Sequence, residues 1–112
     1  MFRIRRVYDD ITPTDHDAIR QVQAILQAQF PYISQKEVQK LGENLRNPFR
    51  HRFRSILFIA EKSRETVAGF ALLYHEPSLR FCYLDYISAG PGKTGGGIGG
   101  ALYERVREEA LD

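Results

Sequence analysis

The sequence contains one cysteine and no tryptophan. A lone thiol excludes an internal disulfide and suits a reducing compartment, so a cytoplasmic location is expected. Cys82 lies inside an apolar strand pattern with no thiolate-stabilising neighbour in sequence. It reads as a buried, inert side chain rather than a nucleophile. Long apolar runs are also missing. The longest, Ile56 to Ala60, is far too short to cross a membrane, so no membrane partner is expected. Met1 is followed by Phe-Arg-Ile-Arg-Arg rather than an apolar segment, so no secretory signal is expected. Neither sign of charge dominates. A net charge of +2 is too weak to call for nucleic acid. His16, His51 and His75 share no spacing that would hold a metal.

What remains is an ordinary globular composition, 43% hydrophobic and 27% charged over 112 residues. That length builds one small domain with a single core, so residues 1–112 are expected to form one unit. From Phe2 to Val7 the residues alternate, with Phe2, Ile4 and Arg6 on one face and Arg3, Arg5 and Val7 on the other, a short strand signal. Thr14 or Asp15 can cap a helix whose apolar face carries Ala18, Ile19, Val22, Ile25 and Leu26, and which Pro31 ends. Ser34-Gln35-Lys36-Glu37 is a capping-box pattern opening a second helix through Val38, Leu41 and Leu45, which stops before Pro48. A basic connection with Arg46, Arg50, His51, Arg52 and Arg54 follows. It reads as a solvated loop or as a collar for an anionic ligand.

From Ser55 the period changes to that of strands. Ile56–Glu61, Thr66–His75 and Leu79–Ala89 are separated by short polar turns, which predicts an antiparallel meander. The second and third of these strands are apolar on both faces, so central positions with cover on both sides are expected. Beyond them Ile98, Leu102 and Val106 mark one face of a closing helix. The fold class is therefore mixed α/β.

Seven of the nine glycines fall in one stretch, Gly90-Pro-Gly-Lys-Thr-Gly-Gly-Gly-Ile-Gly-Gly100, between the last strand and the closing helix. Such a loop lets backbone N–H groups at a helix N-terminus approach an anion closely. Three phosphate-binding patterns overlap in it. A Walker A loop would use Gly92-Lys93-Thr94, but its first glycine would have to stand at Ile87. A dinucleotide fingerprint would use Gly95, Gly97 and Gly100, but it needs a parallel βαβ unit and a later acidic residue. The third pattern is the pyrophosphate loop of an acetyl-CoA site, which follows an antiparallel meander.

The segment Tyr83-Leu-Asp-Tyr-Ile-Ser-Ala-Gly-Pro-Gly-Lys-Thr-Gly-Gly-Gly-Ile-Gly-Gly-Ala-Leu resembles the GNAT superfamily of N-acetyltransferases. The family's loop reads Gln or Arg, two residues, Gly, any residue, then Gly or Ala. Gly97, Ile98 and Gly99 fit its end, while Thr94 stands at the Gln/Arg position beside Lys93. The order strand, helix, helix, three antiparallel strands, loop, helix extends the resemblance over essentially the whole chain.

The resemblance implies an acetyl-CoA-dependent enzyme that acetylates a primary amine by direct attack in a ternary complex. It implies that Lys93, Thr94, Gly95, Gly96, Gly97, Ile98, Gly99 and Gly100 hold the pyrophosphate, and that the backbone of Ile87, Ser88 and Ala89 bonds the pantetheine arm. Family members continue past this helix with further strands and a helix. The chain is thus expected to be a fragment, associating with itself or with a completing C-terminal segment. The alternative is a truncated, non-catalytic module that binds CoA or a partner.

Deprotonation of the amine calls for a base. Asp85 interrupts the apolar strand Phe81–Ile87, and burial there would raise its pKa into a range useful for that role. The competing role is structural, a carboxylate paired with an arginine such as Arg80. Tyr83 and Tyr86 read as packing residues.

Overall fold

The computed structural model of the chain describes residues 2–46, 54–63, 66–76, 81–88 and 97–111, with residues 81–85 described by their backbone. Four strands and four helices follow one another as β1 (Arg3–Val7), α1 (Pro13–Gln29), α2 (Gln35–Gln39), α3 (Leu41–Arg46), β2 (Arg54–Glu61), β3 (Val67–Glu76), β4 (Phe81–Ser88) and α4 (Ile98–Leu111). The strands form one antiparallel sheet in the order β1-β2-β3-β4. The meander expected from the short turns is therefore present, with β1 added at its start.

Alternation along β2 and β3 explains the layering. Leu57, Ile59, Phe70 and Leu72 pack with Ala18, Ile19, Val22 and Leu26 of α1. Ile56, Phe58, Ala60, Ala71 and Leu73 point the other way and pack with Ile98, Leu102 and Val106 of α4. Side chains a period of two apart share a sheet face, and those three or four apart share a helix face, so one sheet sits between two helical layers. Phe58 and Phe70 are fully buried on opposite faces. Burial of each such side chain contributes about 2–3 kcal/mol. It is β2 and β3 that occupy the centre, whereas β4 is the outer strand of the described sheet.

Helix α1 starts earlier than the sequence suggests. Thr12 is its cap, its side chain accepting from Asp15 N, and Pro13 takes the first helical position. Proline suits that place because its φ is preset and the N–H it lacks has no helical partner there. Ser34 caps α2 as the capping-box pattern predicts, accepting from Glu37 N at 3.2 Å. The second helix then divides at Lys40 into α2 and α3. Gly42 fits at the start of α3 because a Cβ there would lie 2.6 Å from Asp10 Oδ2.

Two of the three β1 arginines, Arg3 and Arg5, are anchored by a buried carboxylate. Glu61, 7% exposed, accepts from Arg5 Nε at 2.8 Å and from Arg3 at 3.1 Å, while Arg5 also reaches Asp15 at 2.7 Å. Burial alone would push the Glu61 carboxyl up. The hydrogen bonds and charges of Arg5 and Arg3 outweigh it and hold the group below the usual carboxylate range. Among the described residues no helix is long and apolar enough to cross a membrane. The basic residues of 47–53 lie outside the described residues.

Candidate functional site

The sheet's outer strand and the start of α4 come together at one end of the molecule. Gly97 has φ of +74°, a left-handed conformation that glycine adopts without steric cost. The first hydrogen bond of the helix is Ala101 N to Gly97 O at 2.9 Å. The N–H groups of Ile98, Gly99 and Gly100 precede it and are directed out of the helix end, where the helix dipole also favours an anion. Among the described residues, a Cβ built on Gly97 or Gly100 would meet nothing within 4 Å. Ile98 is buried and anchors the first turn against the sheet. The residues expected to hold pyrophosphate thus divide. Gly97, Ile98, Gly99 and Gly100 are at the helix start, and Lys93, Thr94, Gly95 and Gly96 lie outside the described residues, as does Ala89.

Strand β4 has one neighbour in the described sheet, β3, with Phe70 opposite Ser88, Ala71 opposite Ile87 and Leu72 opposite Tyr86. Its other edge faces away from β3 and offers backbone groups to an extended partner. Ile87 packs toward α4, while Ser88 is 6% exposed and donates from its Oγ to Gln29 Oε1. One position farther back the ladder slips. Leu72 pairs with Tyr86 but Leu73 pairs with Leu84, leaving Asp85 as the extra residue of a β-bulge. A bulge bends its strand and interrupts the pairing, and it falls on the residue singled out as a possible base. The Asp85 side chain itself lies outside the description.

Sequence reasoning missed a cleft of about 50 Å³ on the α1 side of the sheet. Leu26, Ile33, Val38, Leu41 and Leu72 form its apolar walls. Glu37, Asn44, Ser55, Tyr74 and Tyr86 supply the polar atoms. Ser55 and Tyr74 are direct cross-strand partners, as are Leu72 and Tyr86, so the floor is a patch of β2, β3 and β4 roofed by α2 and α3. Tyr86, a lining residue, directly follows Asp85 along the strand. Phe30 links it to the surface: its ring lies 5.0 Å from Tyr86 and 6.2 Å from Tyr32. Tyr86 is a packing residue, as expected, and also a wall of the cleft.

Comparison with known proteins agrees with this geometry. The sequence profile of the acetyltransferase (GNAT) family matches residues 19–112. No curated protein matches the chain by sequence. Tetrahymena GCN5 superimposes with a TM-score of 0.79 at 15% identity, over 96% of this chain and 62% of that one. The catalytic domain of Tetrahymena GCN5 histone acetyltransferase in complex with coenzyme A gives 0.72 at 14% identity, over 99% and 62%. A GNAT-family structure from Desulfovibrio desulfuricans gives 0.71 at 18% identity, over 99% and 67%. The chain thus spans about 62% of the length of the Tetrahymena structures it matches. With the profile covering most of the sequence and the order of strands and helices in place, the chain belongs to the GNAT acetyltransferase family.

Proposed function

We propose that the chain binds acetyl-CoA across the start of α4 and the outer edge of β4, and passes the acetyl group to a primary amine. The observation that carries this is the pairing of a glycine-built helix N-terminus, Gly97 to Gly100, with an outer strand ending in Ile87 and Ser88. The N–H groups of the first turn suit a pyrophosphate. The strand edge suits the amide-containing arm behind it. A coenzyme A complex of a structural neighbour supports the same ligand.

In this scheme the amine enters the cleft beside Tyr86 and reaches the thioester at the bulge. Asp85 takes the proton from the ammonium, and the neutral nitrogen attacks the carbonyl carbon. The C–S bond breaks as the C–N bond forms. The second proton of the attacking nitrogen passes to the departing CoA sulfur, which leaves as the thiol. A completing strand, from a C-terminal segment or a second copy, would pair along the β4 edge beyond the pantetheine arm.

The test is calorimetric titration with acetyl-CoA, with ATP and NAD as comparisons. Binding of acetyl-CoA alone, lost in Gly97→Val, is expected. Preference for ATP or NAD would overturn the proposal. Acetyl-CoA binding without transfer to any amine would favour the non-catalytic module.

A further inference from the structure

We infer that Arg6 of β1 and Arg105 of α4 form a binding site for a phosphate group, separate from the helix end proposed to hold the cofactor.

The three arginines of β1 are treated differently by the fold. Arg3 and Arg5 share Glu61. Arg6 belongs to the opposite face of the sheet, with Ile4, on the side packed by α4. There it stands opposite the fully buried Phe58. Its Nε is shut off from solvent and has no hydrogen-bond acceptor among the described residues. A buried donor left unpaired is costly, and a charge on it raises the cost. A bound anion removes both penalties.

Arg105 brings a second guanidinium to the same place. It lies over the Phe58 ring, 4.9 Å from the centroid, while Arg6 lies 4.3 Å from the centroid of the Tyr8 ring. Phe58 is thus covered by one arginine and paired across the ladder with the other. Directly opposed residues of an antiparallel pair have Cβ atoms about 5 Å apart. Stacking on a ring occupies the face of a guanidinium and leaves its N–H edge for an acceptor. Arg105 meets Glu108 at 3.6 Å, beyond hydrogen-bonding distance.

Four carboxylates lie outside the described side chains: Glu65, Glu76, Asp85 and Asp112. Glu65 follows Glu61, which is paired with the first residue of β1 rather than its last. Glu76 and Asp85 belong to β3 and β4, with β2 between them and β1. Asp112 follows α4, and a variant tests it. Two N–H forks from separate elements suit an anion with oxygens in more than one plane. Phosphate is such a group, whereas a planar carboxylate is filled by one fork.

The experiment follows amide shifts of the 112-residue chain titrated with inorganic phosphate, glycerol phosphate and succinate at neutral pH and constant ionic strength. Saturable shifts at Arg6, Tyr8, Phe58 and Arg105 are expected with phosphate. Succinate, an anion of similar charge and different geometry, should bind about 10-fold more weakly. Arg6→Lys keeps the charge without the fork, and Arg105→Met keeps the cover over Phe58 without the charge. Each should weaken phosphate by about 10-fold or more and leave acetyl-CoA affinity unchanged. Asp112→Asn should bind phosphate as the parent does. Shifts that never saturate, equal binding of succinate, or unchanged phosphate affinity in either arginine variant would overturn the inference. So would tighter phosphate binding in Asp112→Asn, because an internal carboxylate would then hold the arginines. Joint loss of phosphate and acetyl-CoA in Arg6→Lys would overturn it by giving the arginines to the cofactor. The tighter of inorganic phosphate and glycerol phosphate tells a free ion from a phosphomonoester, and saturable binding of either at these residues supports the site.

Discussion

Ser88 Oγ donates a hydrogen bond to Gln29 Oε1, which ties the last residue of β4 to the last residue of α1. Ser88 is buried and Gln29 half-buried, and together they fix the strand end that should carry the pantetheine arm. Truncating either side chain breaks this tie. Ser88→Ala and Gln29→Ala should each cost about 1–2 kcal/mol in urea unfolding and weaken acetyl-CoA several-fold. The double variant should cost less than their sum. Additive costs would show that the pair does not act as a unit.

Gly97 and Gly100 separate strain from ligand access. At Gly97 a side chain has room but the wrong backbone, so Gly97→Val should destabilise by about 1–2 kcal/mol. Gly100 lies inside the first turn of α4 with no neighbour where its Cβ would go. Gly100→Ala should stabilise the chain by about 0.5–1 kcal/mol, since alanine is the better helix former. If phosphates approach this turn, the same variant should lose acetyl-CoA affinity by 10-fold or more. Thermal melts and calorimetry on one preparation read both effects. A stabilised variant with unchanged affinity would move the phosphate away from Gly100.

These sites differ in how far the sequence reveals them. Strong periodicity made the layers legible: Ile98, Leu102 and Val106 face the sheet because helical spacing leaves them no other common face. The glycine run was legible because few structures tolerate one. The Asp85 bulge was not, since a ladder slip depends on the partner strand rather than on local residues. The Thr12 cap was hidden by Thr14, an equally good capping residue two positions on. The cleft was invisible because Glu37, Ser55, Tyr74 and Tyr86 come from separate elements joined only by the fold. In sequence Glu37 reads only as part of a capping box.

The Glu61 cluster predicts a response to acid. Its carboxyl, normally near 4.5, is lowered in the folded state. The unfolded chain therefore binds the proton more readily. The stabilisation is fully present above about pH 4.5 and is lost as pH falls through the folded value. Glu61→Gln should cost about 1–2 kcal/mol at pH 7, as Arg5 and Arg3 lose a charged partner. It should also flatten the fall in stability below pH 4.5. Urea midpoints measured from pH 3 to 7 check both, and parallel curves for the two proteins would remove Glu61 as the source.

Asp85 is placed by its backbone at the bulge, next in sequence to Tyr86 of the cleft wall. A base there must be ionised to take the proton, so the acetylation rate should fall as pH drops through its pKa. Asp85→Asn keeps the size and removes the basicity. It should lower kcat by about 100-fold or more while acetyl-CoA affinity stays the same, and the acidic limb of the pH–rate profile should vanish. The structural role makes the opposite prediction. A carboxylate that only pairs with an arginine would, when replaced, lower the melting temperature and leave the shape of the pH profile intact. Melting curves and pH–rate profiles measured together decide between them, because a base and an anchor fail in different observables.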